Sequence, residues 1–212
     1  MDSLPAGVIW GIVLGYLCGS FPTAFLVGRL NGVDLRKVGS GNLGATNVFR
    51  TLGWKWGLFV YIVDFLKGFL PTYFLPLALG FSAGWPWGVA VALAAMAGHV
   101  KPIFLLWKGG GKGIATGSGV FMALAPQATL LALAVFILIV SVTRYVSAGS
   151  LAGALCLTLV LWWQNHGDPA PMVVVGALVT VFVFWTHRAN VKRLIHGEEH
   201  RIGRHPRSEE TI

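Results

Sequence analysis

Charged side chains are scarce in this sequence of 212 residues. Lys, Arg, Asp and Glu together make up 11% of it, and hydrophobic residues make up 55%. A typical soluble domain has about 25% charged and roughly 45–50% apolar residues. The composition therefore excludes an ordinary soluble domain and indicates an integral membrane protein.

Cysteines and acidic residues are also few, which limits the available chemistry. The two cysteines, Cys18 and Cys156, both lie in apolar runs and indicate neither a disulfide framework nor a metal site. Among the basic segments, the carboxylates are only Asp34 and the glutamates of the tail, and their spacing would not hold Mg²⁺. We therefore expect no metal and no cofactor.

Motifs of several enzyme classes are missing. No His is followed five residues later by Asp, the pattern of the common membrane acyltransferases. The glycine-rich segment departs from a nucleotide P-loop at Leu106 and Gly113, where that motif needs Gly and then Ser or Thr. An enzyme with this sequence would work without a metal and without a conventional catalytic triad.

Most of the apolar stretches are long enough to cross a bilayer, which takes about 17–25 helical residues. They fall at about 5–28, 56–80, 86–107, 114–143, 146–163 and 172–186, of which the last is shorter. The cations behind the net charge of +8 concentrate in four segments between and after them. Because cations in a membrane protein collect in cytoplasmic segments, we expect these four in the cytoplasm, the N-terminus outside, and no nucleic-acid partner.

The stretch 114–143 must then cross twice, since a single crossing would leave the cationic tail outside. Proline breaks a helix interior, so Pro126 marks the expected turn. The sequence predicts an all-α fold of seven transmembrane helices, with a cytoplasmic C-terminus and two short helices that meet near Pro126. We expect one transmembrane domain over residues 1–203 and a short polar cytoplasmic tail over 204–212.

The segment 98–116, GHVKPIFLLWKGGGKGIAT, combines glycines with lysines before an apolar run. Its candidates for phosphate binding are Lys108, Gly109, Gly110, Gly111, Lys112 and Gly113. Glycines let the backbone approach a ligand, and successive N–H groups in such a turn form a nest for an anion. The alternative is a flexible hinge between two membrane helices.

The segment 39–50, GSGNLGATNVFR, is rich in neutral hydrogen-bonding side chains. Its candidate ligand-binding residues are Ser40, Asn42, Thr46, Asn47 and Arg50. The planar guanidinium of Arg50 can bind a phosphate through two hydrogen bonds. The alternative is an ordinary connecting loop.

Two further pairs of polar residues share a helical face. Ser147 and Ser150 follow the third cationic segment, where they either contact a ligand or only cap a helix. His187 and Asn190 lie three residues apart after the last apolar stretch, which places an imidazole and an amide at the cytoplasmic side.

Ionisable residues also occur inside the apolar stretches. Asp64 and Lys67 lie three residues apart on one face, where they either form a structural pair or take part in function. His99 lies near the cytoplasmic end of the third stretch, three residues before Pro102. It is a candidate ligand or a packing residue.

Five motifs, taken in order, resemble those of the bacterial acyl-phosphate:glycerol-3-phosphate acyltransferases, over about residues 5–203. They are GSGNLGATNVFR, DFLKG, GHVKPIF with KGGGKGIAT, RYVSAGS and HRANVKRLIHGEEHR. The resemblance implies a seven-helix protein of the bacterial cytoplasmic (inner) membrane with its active site on the cytoplasmic side. It implies transfer of a fatty acyl group from acyl phosphate to the 1-hydroxyl of glycerol 3-phosphate, giving lysophosphatidic acid and phosphate. This is the first step of phospholipid synthesis.

The resemblance also implies roles for individual residues. The catalytic candidates are Ser40, Lys112, Ser150, His187 and Asn190, with Arg50 binding substrate and Asn42, Thr46, Asn47 and His99 in support. Lys112 would hold the acyl phosphate, and Arg50 the glycerol 3-phosphate. The proton acceptor would be His187 or a substrate phosphate oxygen. Membrane lipid and an upstream enzyme that forms acyl phosphate are the other partners expected.

One departure from the family pattern affects the glycine-rich segment. The family usually has two glycines between the lysines, and this sequence has three, which shifts Lys112 by one residue relative to His99. Either Lys108 or Lys112 could then be the main phosphate ligand. A membrane transporter of an organic phosphate is the alternative function, and a lipid-binding scaffold without activity is a third.

Overall fold

The computed structural model describes residues 5–167 and 170–203, and within these ranges every regular element is helical. The helices are α1 (Ala6–Gly19), α2 (Thr23–Leu30), α3 (Ala45–Leu52), α4 (Trp54–Leu79), α5 (Trp87–Val100), α6 (Ile114–Leu124), α7 (Pro126–Thr143), α8 (Val146–Gln164), α9 (Pro171–Thr186) and α10 (Arg188–Ile195), with a single 3₁₀ turn at Ile103–Leu105. The expectation of an all-α membrane protein is confirmed. The tail predicted over 204–212 lies outside the described residues.

Five helical segments of the described chain are long and apolar enough to cross a membrane. They are Ala6–Leu30, Trp54–Leu79, Trp87–Leu105, Pro126–Thr143 and Val146–Gln164. The pair Pro171–Thr186 and Arg188–Ile195 bends by 62° and would make a sixth. Helix α6 has 11 residues, or about 16 Å at 1.5 Å per residue, which is too short for a bilayer core of about 30 Å. The seventh crossing therefore stays a prediction.

The long apolar stretch 114–143 breaks where proline predicts. Helix α6 ends at Leu124, and α7 begins with Pro126 in its first turn, where a missing N–H is harmless. The two helices are unequal, however. With 18 residues, α7 is long enough to cross a bilayer, so only α6 is short. The expectation of two short helices is corrected in this respect.

The shortness of α6 follows from where it starts. Ile114, its first residue, lines the same cavity as Phe136 of α7. Phe136 lies seven residues before the end of α7 at Thr143, which corresponds to about 10 Å along the helix. The segment that precedes α6 therefore enters the helical bundle instead of turning at its surface, and it carries Lys112 into the interior.

Two apolar clusters hold the helices around this entry. The larger is built from α5, α6, α7, α8 and α9, with Phe121 and Leu157 among its buried members. The smaller joins α2 and α4 to the segment 33–48, in which Leu35 and Val48 are fully buried. The smaller cluster anchors the segment 33–48, which includes much of the polar, glycine-containing segment 39–50.

Candidate active site

A cavity of roughly 740 Å³, including space that is open to solvent, lies where α3, α4, α5, α6, α7, α8 and α10 converge. Ten of the residues predicted from the sequence line it, namely Ser40, Asn42, Thr46, Asn47, Arg50, His99, Lys112, Ser150, His187 and Asn190. They come from segments that are distant in sequence. Their common location supports the prediction that they form one site, and their individual roles remain predictions.

The glycine-rich segment contributes Lys112 to this cavity but not its glycines. Gly109, Gly110 and Gly111 line a smaller neighbouring cavity, and Gly113 lines an apolar one. The Gly111 N–H donates a hydrogen bond to the His99 carbonyl (3.2 Å), and a Cβ at Gly111 would collide with the His99 ring. Close packing against α5 thus accounts for this glycine, and the phosphate nest remains a prediction.

Lys108, the other lysine of that segment, is exposed and does not line the cavity. The geometry therefore favours Lys112 as the phosphate ligand despite the additional glycine.

Asn47 fixes the position of Ser40. The Asn47 side chain is 1% exposed, and its Oδ1 accepts a hydrogen bond from the Ser40 N–H (2.9 Å). Its Nδ2 donates to the carbonyls of Leu35 (3.1 Å) and Val38 (3.2 Å). Because a buried amide needs all these partners, Asn47 acts as a brace that holds the segment and presents Ser40 to the cavity.

A buried carboxylate organises the opposite wall. Glu199 is 5% exposed, and its Oε1 accepts hydrogen bonds from Asn190 Nδ2 (2.8 Å) and Ser147 Oγ (3.1 Å). Its Oε2 accepts one from Arg193 Nε (2.7 Å). The Asn190 amide is thereby oriented with its Oδ1 toward Lys112, whose Nζ donates to it. Glu199 therefore positions Lys112 through Asn190.

The ionisation of these groups follows from their surroundings. Burial lowers the pKa of Lys112 to about 8, and the nearby positive charges of Arg193 and Arg50 also lower it, while Glu199 opposes them. Burial acts to raise the pKa of Glu199, but the hydrogen bonds from Asn190 and Arg193 outweigh it and hold that pKa below its usual value. The site thus has an excess of positive charge that an anion would stabilise.

Arg50 has unused donor capacity inside this wall. Its Nη2 donates to the His200 carbonyl (3.1 Å), whereas its Nε is buried without a hydrogen-bond partner. Burial lowers the pKa of Arg50, although the Glu199 carboxylate counteracts this. A buried donor without a partner is rare in proteins and costs free energy. Because Arg50 lines the cavity, its guanidinium is a candidate for binding an anion there.

The His187 ring has a defined hydrogen-bonding pattern. His187 is 4% exposed, and its Nδ1 lies 2.9 Å from the Val183 carbonyl oxygen. A carbonyl can only accept, so Nδ1 carries the hydrogen, and Nε2 of the neutral ring has a free lone pair. His187 can therefore accept a proton at Nε2.

The two serines of α8 differ in their hydrogen bonds. Ser150 Oγ donates to the Val146 carbonyl of its own helix (2.9 Å), and Ser147 Oγ donates to Glu199. Neither hydroxyl caps the helix. Ser150 lines the cavity and retains its lone pairs for a donor from a ligand.

The ion pair of Asp64 and Lys67 makes contacts that serve a structural role. Lys67 Nζ lies 2.6 Å from Asp64 Oδ1 and donates to the Phe21 carbonyl (2.9 Å), and Thr23 Oγ1 donates to Asp64 (2.9 Å). The pair thereby ties α4 to the junction of α1 and α2. His99 Nδ1 is 3.9 Å from Asp64 Oδ2 and has no hydrogen-bond partner.

The sequence analysis did not select several residues that matter here. Arg193 lies in a charged segment, and Tyr61 and Phe136 lie in apolar runs without a local signal. The tail from Glu198 onward reads as solvated, and Glu199 is the one residue of it that the sequence leaves open as an exception. The only available signal for Glu199 was a carboxylate close to a predicted cationic site. Among the described residues, no group of three or more His, Cys, Asp or Glu side chains could hold a metal ion.

The fold and the site together define a class, which is a helical membrane protein with a cationic cavity suited to anionic ligands. The family model for glycerol-3-phosphate acyltransferase matches residues 9–197. The chain belongs to the glycerol-3-phosphate acyltransferase family. Membership in a family of enzymes favours catalysis over transport.

Relatives match along nearly the whole chain. A glycerol-3-phosphate acyltransferase of Trichlorobacter lovleyi is 46% identical over 92% of this chain and 97% of its own length. A glycerol-3-phosphate acyltransferase of Thermus thermophilus is 44% identical over 92% of this chain and 95% of its own length. The chain also resembles a crystal structure of PlsY (YgiH), an integral membrane glycerol 3-phosphate acyltransferase, in its glycerol 3-phosphate form. The TM-score is 0.83 and the sequence identity 37%, and the match covers 92% of this chain and 96% of that one. A lysophosphatidic acid form of PlsY gives a TM-score of 0.80 at 36% identity.

The role of Glu199 in the site can be tested by Glu199→Gln. Because the pKa of Glu199 is lower in the fold than in the unfolded chain, its carboxylate stabilises the protein above about pH 4.3, and the effect disappears as the pH falls through the folded value. At pH 7 we expect the free energy of unfolding to fall by about 1–3 kcal/mol, since buried donors lose a charged partner. Thermal unfolding in detergent, followed by tryptophan fluorescence at several pH values, measures this.

Glu198→Gln is the matched control, because Glu198 is the exposed neighbour. It should unfold like the unmodified protein at every pH. Equal stability of Glu199→Gln and Glu198→Gln at pH 7 would contradict the structural role of the buried carboxylate.

Proposed function

We propose that this protein transfers a fatty acyl group from acyl phosphate to the 1-hydroxyl of glycerol 3-phosphate. The hydroxyl oxygen attacks the acyl carbonyl carbon, the bond from that carbon to the phosphate oxygen breaks, and the products are lysophosphatidic acid and phosphate. The main observation behind this proposal is that two cationic side chains, Lys112 and Arg50, line one cavity together with neutral hydrogen-bonding groups. Two anionic substrates need such an arrangement in order to approach each other.

Lys112 is the proposed ligand for the acyl phosphate. Lys112 lines the cationic cavity, and the next two residues of the chain, Gly113 and Ile114, line an adjoining apolar cavity. A phosphate at Lys112 could therefore place an attached acyl chain in apolar surroundings. Ser40 and Ser150 are proposed to donate to the phosphate or to the carbonyl oxygen, for which the Ser150 hydroxyl would rotate away from the Val146 carbonyl.

Arg50 is the proposed ligand for glycerol 3-phosphate, with His187 and Asn190. Its partnerless Nε and its planar guanidinium suit two parallel hydrogen bonds to one phosphate. The glycerol 3-phosphate form of the PlsY relative supports this substrate. Asn42, Thr46 and Asn47 belong to the same wall and are proposed to shape it.

The chemical step needs little from the protein beyond positioning and charge. Acyl phosphate is already activated because phosphate is a good leaving group, so no protein nucleophile is required. Holding two reactants together and offsetting their negative charges lowers the barrier. The proton of the glycerol hydroxyl passes to Nε2 of His187 or to a phosphate oxygen of a substrate.

We also propose the membrane arrangement predicted from the sequence. The protein would cross the cytoplasmic membrane of a bacterium seven times, with the N-terminus outside and the cavity open to the cytoplasm. Support comes from the cations Lys108 and Arg144, which lie in connections between helices, and from Lys55 in the first turn of α4. An upstream enzyme that forms acyl phosphate remains a proposed partner.

The reaction and the division of labour between the cations can be tested in one series. The purified protein, incubated with acyl phosphate and glycerol 3-phosphate, should form lysophosphatidic acid, measured by mass spectrometry. Arg50→Lys should mainly raise the KM for glycerol 3-phosphate, and Lys112→Gln should mainly impair use of acyl phosphate. Each should lower kcat/KM by about 10- to 150-fold, because a charge-assisted hydrogen bond contributes about 1.5–3 kcal/mol.

Lys108→Gln is the control of this series, since Lys108 is exposed and does not line the cavity. It should have nearly normal kinetics. If Lys108→Gln fails while Lys112→Gln has normal kinetics for both substrates, the assignment of the phosphate lysine is wrong.

The pKa of Lys112 predicts a specific dependence on pH. Only protonated Lys112 attracts a phosphate, and its pKa of about 8 means that this charge is lost as the pH rises through 8. We expect kcat/KM for acyl phosphate to fall above about pH 8, by up to tenfold per pH unit. Lys112→Arg should remove this decline, because arginine stays protonated in proteins. The same decline in Lys112→Arg, after subtraction of uncatalysed hydrolysis, would refute the assignment.

The membrane arrangement can be tested by labelling single cysteines in a variant without Cys18 and Cys156. Cysteines at Lys108 and Arg144 should react with an impermeant thiol reagent from the cytoplasmic side, and one at Ser82 from the outside. Ser82 lies in the connection between α4 and α5, at the other end of the bundle. Reaction of the Lys108 and Arg144 positions from opposite sides would exclude a double crossing by residues 114–143.

A further inference from the structure

An apolar cavity, of about 600 Å³ including space that is open to its surroundings, adjoins the cationic cavity. The two share four lining residues, Tyr61, Ile114, Phe136 and Ser150, which form a collar between them. Beyond the collar, the walls are formed by α6, α7, α8 and α9. A ligand with an ionic end in the first cavity can therefore extend an apolar part into the second.

The hydroxyl groups of this second cavity are internally satisfied. Ser118 Oγ donates to the Ile114 carbonyl (2.9 Å), and Thr129 Oγ1 donates to the Ala125 carbonyl (2.9 Å), each within or at the start of its own helix. Neither hydroxyl has a hydrogen left for a ligand. The cavity beyond the collar thus suits a hydrocarbon chain.

The apolar cavity has a definite depth along α8. Its lining residues on this helix run from Ser150 at the collar through Ala154 to Leu157. Seven residues of helix correspond to about 10 Å. Leu161, one turn further, is 2% exposed and belongs to the packed core instead of the cavity wall. The cavity therefore ends at the level of Leu157.

On α6 and α7 the lining of the cavity also stops at buried residues. On α6 the lining residues stop at Phe121, which is 2% exposed, and on α7 the residue farthest from the collar is Thr129, also 2% exposed. Phe121 and Leu157 belong to the same apolar core. We call Phe121, Thr129 and Leu157 the floor.

We propose that the floor sets the longest acyl chain that the enzyme accepts. The inference rests on the proposed function and adds to it the residues that select the substrate. The acyl group would enter through the collar with its carbonyl beside Ser150, and its terminal methyl group would reach toward Leu157. Chains that are too long would have to displace packed core residues.

The floor would select chain length because a chain that is too long does not fit, and not because longer chains gain more from burial. The acyl chain comes from a bilayer, whose interior is as apolar as the cavity, so each further methylene gains little on transfer. Forcing additional methylenes into a packed core costs about 1–3 kcal/mol. We therefore expect similar kcat/KM values up to a limiting chain length and then a fall of about 5- to 150-fold.

Two substitutions should move this limit in opposite directions. Ala154 lies halfway to the floor, so Ala154→Leu should make the limiting chain shorter. Leu157→Ala removes part of the floor and should make it longer. The experiment presents a mixture of acyl phosphates from hexanoyl to stearoyl in the same vesicles, with glycerol 3-phosphate. The ratios of the lysophosphatidic acids, measured by mass spectrometry, are compared between each variant and the unmodified enzyme, so that differences in partitioning between chain lengths cancel.

Ala152→Leu is the matched control, because Ala152 lies on the same helix but lines a separate surface groove. Its product profile should equal that of the unmodified enzyme. The proposal is overturned if Ala154→Leu and Leu157→Ala both keep that profile, or if Ala152→Leu shifts it as much as Ala154→Leu does. If Ala154→Leu is inactive, Leu157→Ala alone decides. Absence of lysophosphatidic acid from the unmodified protein with every chain length would instead refute the proposed function.

Discussion

The site depends on holding Lys112 through a neutral amide, close to other cations and near a buried carboxylate. Lys112, Arg50 and Arg193 repel one another, and the carboxylate of Glu199 offsets the repulsion. Glu199 binds Arg193 directly and reaches Lys112 only through the neutral amide of Asn190. A carboxylate in direct contact with Lys112 would compete with a substrate phosphate. The intervening amide orients the lysine and leaves its charge available.

The entry of the glycine-rich segment into the bundle explains the other unusual features of the fold. Because this segment turns inside the bundle, α6 is left with only 11 residues, and it packs closely on α4 and less on α7. Gly119 permits this packing, since a Cβ there would collide with the Phe65 carbonyl. The helix pair α6 and α7 thus diverges enough for a cavity to lie between them and α8.

The sequence predicted well whatever follows from local chemistry. Pro126 marks a helix boundary because proline lacks an N–H. The polar residues of 39–50 line one cavity with Lys112, His187 and Asn190, because each of these segments follows or precedes a membrane helix at the same end of the bundle. The sequence did not reveal that Gly111 packs against His99 or that Glu199, unlike Glu198, is buried. These properties depend on contacts between distant segments, which adjacent residues do not encode.

The division into a cationic and an apolar cavity has a chemical consequence. A bound acyl phosphate that extends across both cavities would place its reactive carbonyl at the collar, near Ile114, Phe136 and Ser150. Two of these side chains are apolar and exclude water, which would otherwise hydrolyse the activated acyl group. The hydroxyl of glycerol 3-phosphate would reach the same point from the cationic side. Transfer to glycerol would then be favoured over hydrolysis by the arrangement of the two cavities, without any group dedicated to rejecting water.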